Sequence, residues 1–166
     1  MNFAENLLRI KSNKTALISI NEKNEEVKIS YNQLFDQVES LASSMKKWGV
    51  SPGDRVCGIM PNCSETVVAM LATTAIGAIW SSCSPDFGTQ GVVDRFKQIE
   101  PSILITSDHY FYNGKKINIL EKIDDILKEI PSIKKTLVFA YNKKEEINIQ
   151  NHINFDEVLD QTEVDE

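Results

Sequence analysis

The stretch GDRVCGIMPNCSETVVAMLATTAIGAIWSS, residues 53–82, decides the fold class. It follows a turn signal, Ser51-Pro52-Gly53-Asp54, in which proline presets the first central residue and glycine accepts the positive φ of the second. Arg55 to Met60 then reads as a short strand that Pro61-Asn62 ends. Asn62 is placed to cap a helix with Glu65 at its third position, and Val67, Val68, Met70, Leu71 and Ile76 carry that helix to Gly77. Ala78 to Ser82 reads as a second buried strand. Both strands are apolar runs rather than period-two alternations, the pattern expected where helices cover a parallel sheet on both faces.

The same alternation continues outward in both directions. Upstream, Thr15 to Ile20 and Val27 to Ser30 flank a polar run, Asn21 to Glu26, and read as a hairpin. Ser30 with Gln33 is a capping-box signal, and Tyr31, Leu34, Phe35, Val38, Leu41, Ala42, Met45 and Trp48 recur at spacings of three and four, so a helix runs to a stop at Gly49. Downstream, a helix with Val92, Val93, Phe96 and Ile99 inward ends at Glu100-Pro101, since the residue before proline disfavours the helical region. Ser102 to Ser107 reads as a strand, Lys116 to Ile130 as a helix and Thr136 to Ala140 as a further strand. The expected architecture is α/β: a parallel sheet flanked by helices on both faces, with a small N-terminal hairpin.

Composition narrows the function classes. The 166 residues suit about one domain, and with 42% hydrophobic residues against 25% charged there is apolar material for a core. Eighteen Lys and Arg against twenty-four Asp and Glu leave a net charge of −6, which provides no basic stripe for a phosphate backbone. Nucleic acid is not an expected partner. Between Val56 and Pro85 only Glu65 is charged, whereas Asn151 to Glu166 contains six acids and no base, so the middle reads as core and the end as solvated. The densest apolar run, Val67 to Trp80, is 14 residues and broken by Thr73 and Thr74; a membrane span needs about 20. The N-terminus carries Glu5 early and no long apolar stretch, so no secretory signal is read and a cytoplasmic location is expected. Cys57, Cys63 and Cys83 form no Cys-x-x-Cys pair, and His109 and His152 lie at no ligand spacing from them. Reduced, buried thiols are expected and no metal site.

Parallel sheets bind ligands beyond the carboxyl ends of their strands, which directs attention to Pro61-Asn62, Ser81 to Gly88, and Asp108 to Lys115. No phosphate-loop or dinucleotide fingerprint occurs there, and Ser81, Ser82 and Ser84 lack a nucleophile-elbow frame. No catalytic residue is assigned. Asp86 and Asp108 read as turn or capping aspartates. Lys115-Lys116 beside Gly114 has two readings, a phosphate contact or the solvated start of a helix.

Several runs together carry a family likeness: Asn2 to Arg9, Gly53-Asp54-Arg55-Val56, Glu65 to Thr73, Asp94-Arg95-Phe96, Gln98 to Pro101, Tyr112-Asn113-Gly114-Lys115, and above all Gly77-Ala78-Ile79-Trp80-Ser81-Ser82-Cys83-Ser84-Pro85-Asp86-Phe87-Gly88. The chain resembles the acetoacetyl-CoA synthetases, a family of adenylate-forming (AMP-binding) acyl-CoA ligases. The resemblance implies a two-step reaction: acetoacetate and ATP form an acyl-adenylate and diphosphate with the help of Mg2+, and the CoA thiol then displaces AMP. It also implies that residues 1–166 are part of the family's large N-terminal domain, its first α/β lobe, inactive without the rest of the ligase domain. By position, Trp80, Ser81, Ser82 and Lys115 match segments that approach the nucleotide of CoA in related enzymes. Serines stand at 81 and 82 where those enzymes have glycines, and Lys115 keeps a charge without an arginine's fork. A stand-alone CoA- or nucleotide-binding module, including a regulatory pseudo-ligase, is the alternative, and an unrelated flavodoxin-like domain is a third reading.

Overall fold

The computed structural model describes residues 2–141, 147, 149 and 151–160. A short helix α1 (Phe3–Leu7) precedes an antiparallel hairpin of β1 (Thr15–Ile20) and β2 (Glu26–Ser30). The long helix α2 (Tyr31–Lys47) follows at once. Its start is a complete capping box: the Gln33 amide donates to Ser30 Oγ at 3.2 Å and the Ser30 amide to Gln33 Oε1 at 2.9 Å. Leu34, Val38, Leu41, Ala42 and Met45 form its buried stripe, and Gly49 turns the chain out with φ +88°.

The alternation then runs β3 (Arg55–Ile59), α3 (Ser64–Ala75), β4 (Ile79–Cys83), α4 (Thr89–Phe96) and β5 (Ile103–Ser107). A second hairpin, β6 (His109–Tyr112) and β7 (Lys115–Asn118), leads to α5 (Leu120–Glu129), β8 (Lys135–Phe139), β9 (His152–Asn154) and α6 (Phe155–Leu159). The strands β4-β3-β5-β8-β9, in that order, make one five-stranded parallel sheet. Side chains alternate across it. Val56, Ile103, Ile105 and Leu137 join α1, α2, α3 and α6 on one face. Cys57, Ile59, Leu104 and Val138 join α4 and α5 on the other. The two layers of helix are what the apolar strand runs demand.

Four local expectations change. Asn62 does not cap α3; the Cys63 amide bonds to the Pro61 carbonyl at 3.0 Å, and this tight turn makes Cys63 the N-cap, without a side-chain hydrogen bond. β4 is not a buried strand, because it lies at the sheet edge and among the described residues pairs with β3 alone, leaving Ile79 53% exposed. Lys116 to Ile119 is not helical: Asn113 and Gly114 have φ of +51° and +71°, the two-residue hairpin turn that pairs Tyr112 with Lys115, and α5 begins only at Leu120. Finally, the acidic stretch after Asn151 is not wholly solvated. β9 joins the sheet and α6 buries Phe155 and Val158, with Glu157 and Asp160 facing outward. Residues 161–166 lie outside the described residues.

Candidate functional site

The connection after β3 runs to β4 on one side, and the connection after β5 runs to β8 on the other. The carboxyl ends of β3 and β5 therefore flank a topological switch point, where open parallel sheets bind ligands. Asp108 and His109, directly after β5, are only 4% and 3% exposed. Asp108 Oδ1 accepts from the amides of His109 at 2.8 Å and Tyr141 at 3.3 Å. Its own amide donates to the Phe139 carbonyl at 2.9 Å, and its carbonyl accepts from the Ile119 amide at 3.2 Å. Asp108 thus clasps the ends of β5 and β8 to the start of α5, the turn-and-cap role expected of it. The His109 ring packs against Tyr141 and Phe111, with centroids 4.8 and 5.2 Å apart. His109 Nδ1 lies 2.9 Å from Asp108 Oδ1 without the alignment of a hydrogen bond. Ser107 Oγ and Asp108 Oδ2 are buried and have no hydrogen-bond partner among the described residues.

Lys115 opens β7, exposed, immediately after the Asn113-Gly114 turn. A distant residue meets that turn. Glu22, in the loop between β1 and β2, accepts from the Asn113 amide at 3.1 Å through Oε1 and from the Gly114 amide at 2.9 Å through Oε2. Lys23 Nζ sits 4.7 Å from the Phe111 ring centroid, so the first hairpin leans on the second at two points. Nothing in the local sequence at either place announces this pairing. The Asn-Gly dipeptide is, however, a hairpin signal that locates the turn itself.

Trp80 and Ser82 sit on the α1–α3 face of β4 and Ser81 on the other. The Trp80 ring is half-buried and lies across Gly58: a Cβ at Gly58 would be 2.5 Å from Cη2 and 2.6 Å from Cζ2. Trp80 is therefore part of the core layer, and the neighbouring strand lacks a side chain to admit it. Ser81 is half-buried and Ser82 exposed. These three residues are on an edge strand of the parallel sheet, whereas Lys115 belongs to the separate β6–β7 hairpin.

The loop after β4 ties the two regions together. Lys122, on α5, donates to the Pro85 carbonyl and, at 2.9 Å, to the Phe87 carbonyl. Arg95 stacks over the Phe87 ring at 5.2 Å. Burial lowers the Lys122 pKa, with Cys83 and Asp86 opposing, and Asp86 also helps burial to raise that of Tyr110 on β6. The loop, α5 and the β6–β7 hairpin are thus electrostatic neighbours at the carboxyl edge. Lys122 carries no recognisable signal in the sequence, because one lysine on the rim of an amphipathic helix looks like any other.

The three cysteines are unpaired. Burial pushes the Cys63 thiol up to about 12, reinforced by the Glu65 carboxylate, and holds the Cys57 thiol well above its ordinary value. These are thiols kept neutral, the opposite of an activated nucleophile. Burial, with Cys63, Glu65 and Asp108 adding, likewise raises Tyr141. Among the described residues no group of three or more His, Cys, Asp or Glu is arranged to hold a metal ion, and no helix is long and apolar enough to cross a membrane.

Comparison with known proteins agrees with the architecture. An acetoacetyl-CoA synthetase of Xenopus tropicalis is 46% identical over 165 residues, covering 96% of this chain and 25% of that protein. An acetoacetyl-coenzyme A synthetase of Rhizobium meliloti is 45% identical over 130 residues, covering 78% of this chain and 20% of the relative. The solved acetoacetyl-CoA synthetase from Streptomyces lividans superposes with a TM-score of 0.92 at 35% identity, covering 96% of this chain and 25% of that one. The chain spans about a quarter of the length of these curated relatives. The family model described as AMP-binding enzyme matches residues 3–165, and the chain belongs to that family.

Proposed function

We propose that this chain forms the first α/β lobe, residues 1–166, of the N-terminal domain of an ATP-dependent acetoacetate–CoA ligase. In that reaction an acetoacetate carboxylate oxygen attacks the α-phosphorus of ATP, releasing diphosphate. The CoA sulfur then attacks the acyl carbon of the adenylate, and AMP leaves with the bonding pair. The observation that carries this reading is the match to acetoacetyl-CoA synthetases over 96% of the chain at 46% identity.

Within such an enzyme the lobe contributes scaffold and part of the CoA rim. Lys115, with Trp80, Ser81 and Ser82 on β4, is assigned to the nucleotide end of CoA. Lys115 gives a charge to a phosphate group, and the half-buried Trp80 gives an apolar flank. The residues fit an anion, since the Asn113-Gly114 turn beside Lys115 already holds a carboxylate. No catalytic residue is assigned to this chain, so ATP, Mg2+ and acetoacetate are handled by the rest of the ligase domain. Three unpaired thiols suit a cytoplasmic compartment.

The test is acetoacetate-dependent diphosphate release together with calorimetric titration of CoA. The purified 166-residue chain is expected to release none, and Lys115→Ala to weaken whatever CoA binding the chain shows. Turnover by these residues alone would overturn the assignment of catalysis elsewhere. Saturable CoA binding without turnover, abolished by Lys115→Ala in a protein with no further ligase segments, would favour a stand-alone binding module.

A further inference from the structure

After Cys83 the chain leaves the sheet, and no strand ladder fixes where it goes next. Ser84 to Phe87 makes a tight turn with Pro85 at its first central position, closed by the Phe87 amide, which donates to the Ser84 carbonyl at 3.2 Å. Ser84, Asp86 and Phe87 are exposed, whereas Pro85 is buried. Two carbonyls of this loop converge on one ammonium. Lys122 Nζ donates to the Pro85 carbonyl and, at 2.9 Å, to the Phe87 carbonyl, from 37 and 35 residues further along the chain.

The helix that supplies Lys122 is fixed independently of the loop. Ile119, Ile123 and Ile126 are fully buried in the layer that holds Cys57, Ile59 and Leu104, and the Ile119 amide is tied to the Asp108 carbonyl. Lys122 adjoins Ile123, so its stem starts from a rigid base. Half-burial takes the ammonium partly out of water and lowers its pKa. Holding a long side chain in one place also costs entropy. Two charge-assisted bonds offset both terms, which a lysine serving only to solvate its helix would not need. The contact also joins parts that no ladder joins. α5 follows β7 after a single residue, and the β6–β7 hairpin and β4 belong to separate sheets.

We propose that Lys122 is a positioning residue for the CoA rim: its ammonium, bonded to the Pro85 and Phe87 carbonyls, locks the exit of β4 against α5 and so sets the spacing between Trp80–Ser82 and the β6–β7 hairpin. This rests on the assignment of those two segments to CoA. Lys122 acts through the loop and touches neither the ligand nor a reacting atom.

The experiment compares the full isotopically labelled chain as wild type, Lys122→Met and Lys122→Arg. Methionine keeps an unbranched stem without donor or charge, and arginine keeps both. The Phe87 amide, which closes the turn, is expected to exchange with solvent about 5- to 10-fold faster in Lys122→Met, the scale of a partly exposed hydrogen bond from a charged group. Lys122→Arg should retain most of the protection. The Leu104 and Ile105 amides of β5 should stay as protected as in wild type, which separates local release of the loop from general loss of structure. Unchanged Phe87 exchange in Lys122→Met overturns the lock, as does an arginine variant that loses as much as methionine, or an equal loss at Leu104 and Ile105. Calorimetric titration with CoA then reads the positioning. Lys122→Met should bind about 3- to 10-fold more weakly, the range in which a residue without ligand contact acts. That deficit should persist at high salt, where direct attraction between an ammonium and a phosphate is screened. A deficit that salt removes, or wild-type affinity despite a released loop, overturns the positioning role. If Lys115→Ala leaves CoA binding unaltered, the CoA assignment falls by itself, and the lock between β4 and α5 is judged on Phe87 exchange alone.

Discussion

Gly58→Ala tests the contact that joins β3 to β4 across the sheet face. The added methyl would lie 2.5 Å from Trp80 Cη2 and 2.6 Å from Cζ2, about an ångström inside ordinary contact, so the ring must rotate or the strands part. Overpacking of this kind costs about 1–3 kcal/mol. Replacing a strand glycine by alanine returns about 0.5–1 kcal/mol of backbone entropy. The balance is a loss of about 0–2.5 kcal/mol, which at this chain length lowers Tm by up to roughly 10 °C. The assay is urea unfolding by far-UV circular dichroism for Gly58→Ala, Trp80→Leu and the double variant. In the Trp80→Leu background the obstruction is gone, so the same glycine change should be neutral or slightly stabilising, and the coupling is the overpacking penalty itself, about 1–3 kcal/mol. An equal loss with and without the Trp80 ring would refute the argument, because the penalty would then not come from the ring.

Three further outcomes follow from single contacts. Ser30→Ala removes the acceptor for the Gln33 amide and should cost about 1 kcal/mol in the same urea assay; a neutral result would mean the capping box adds nothing to α2. Phe155→Ala empties a fully buried site and should cost about 3–5 kcal/mol out of a typical total of about 5–15, leaving a chain that is half unfolded by mild heating; a loss below about 1 kcal/mol would show that α6 is not part of the core. Because burial and then Glu65 raise the folded Cys63 thiol to about 12, above its unfolded value, its contribution to stability is complete below about pH 8.5 and is lost as pH rises toward 12. Cys63→Ala should therefore lose less stability than wild type between pH 9 and 11, and parallel curves would contradict the assignment.

How much of this was legible beforehand depended on whether a signal was local. Ser30, Gln33 and the three-and-four spacing of α2 specify a helix from within one segment, and its start and stop fall where they point. The continuous apolar runs of β3 and β5 likewise report burial on both faces, which is what they have. β4 misleads because edge position is set by strand order, and strand order is a relation among distant segments. Lys116-Ile117 fits a helix or a strand by pattern; the turn at Asn113-Gly114 decides it, and two residues outweigh the dozen after them. β9 is three residues long, too short for any periodicity to register. At the candidate site, Lys115 stood out beside a glycine in a strand-end loop and Trp80 entered only through the family resemblance, whereas Lys122 and Glu22 matter only through where the fold brings them.

The closing of the core by α6 also has a consequence for how the chain is made. Phe155 and Val158 complete the same apolar layer that α2 opens with Leu34, Val38 and Leu41, so one of the earliest helices waits for one of the last described. At about 5–20 residues per second, the ribosome takes on the order of ten seconds to travel from one to the other. During that interval the stripe on α2 has α3 beside it but not its final cover. In that interval the Leu34, Val38 and Leu41 stripe lacks the cover of Phe155 and Val158, an exposed apolar face of the kind that makes partly made chains prone to aggregate.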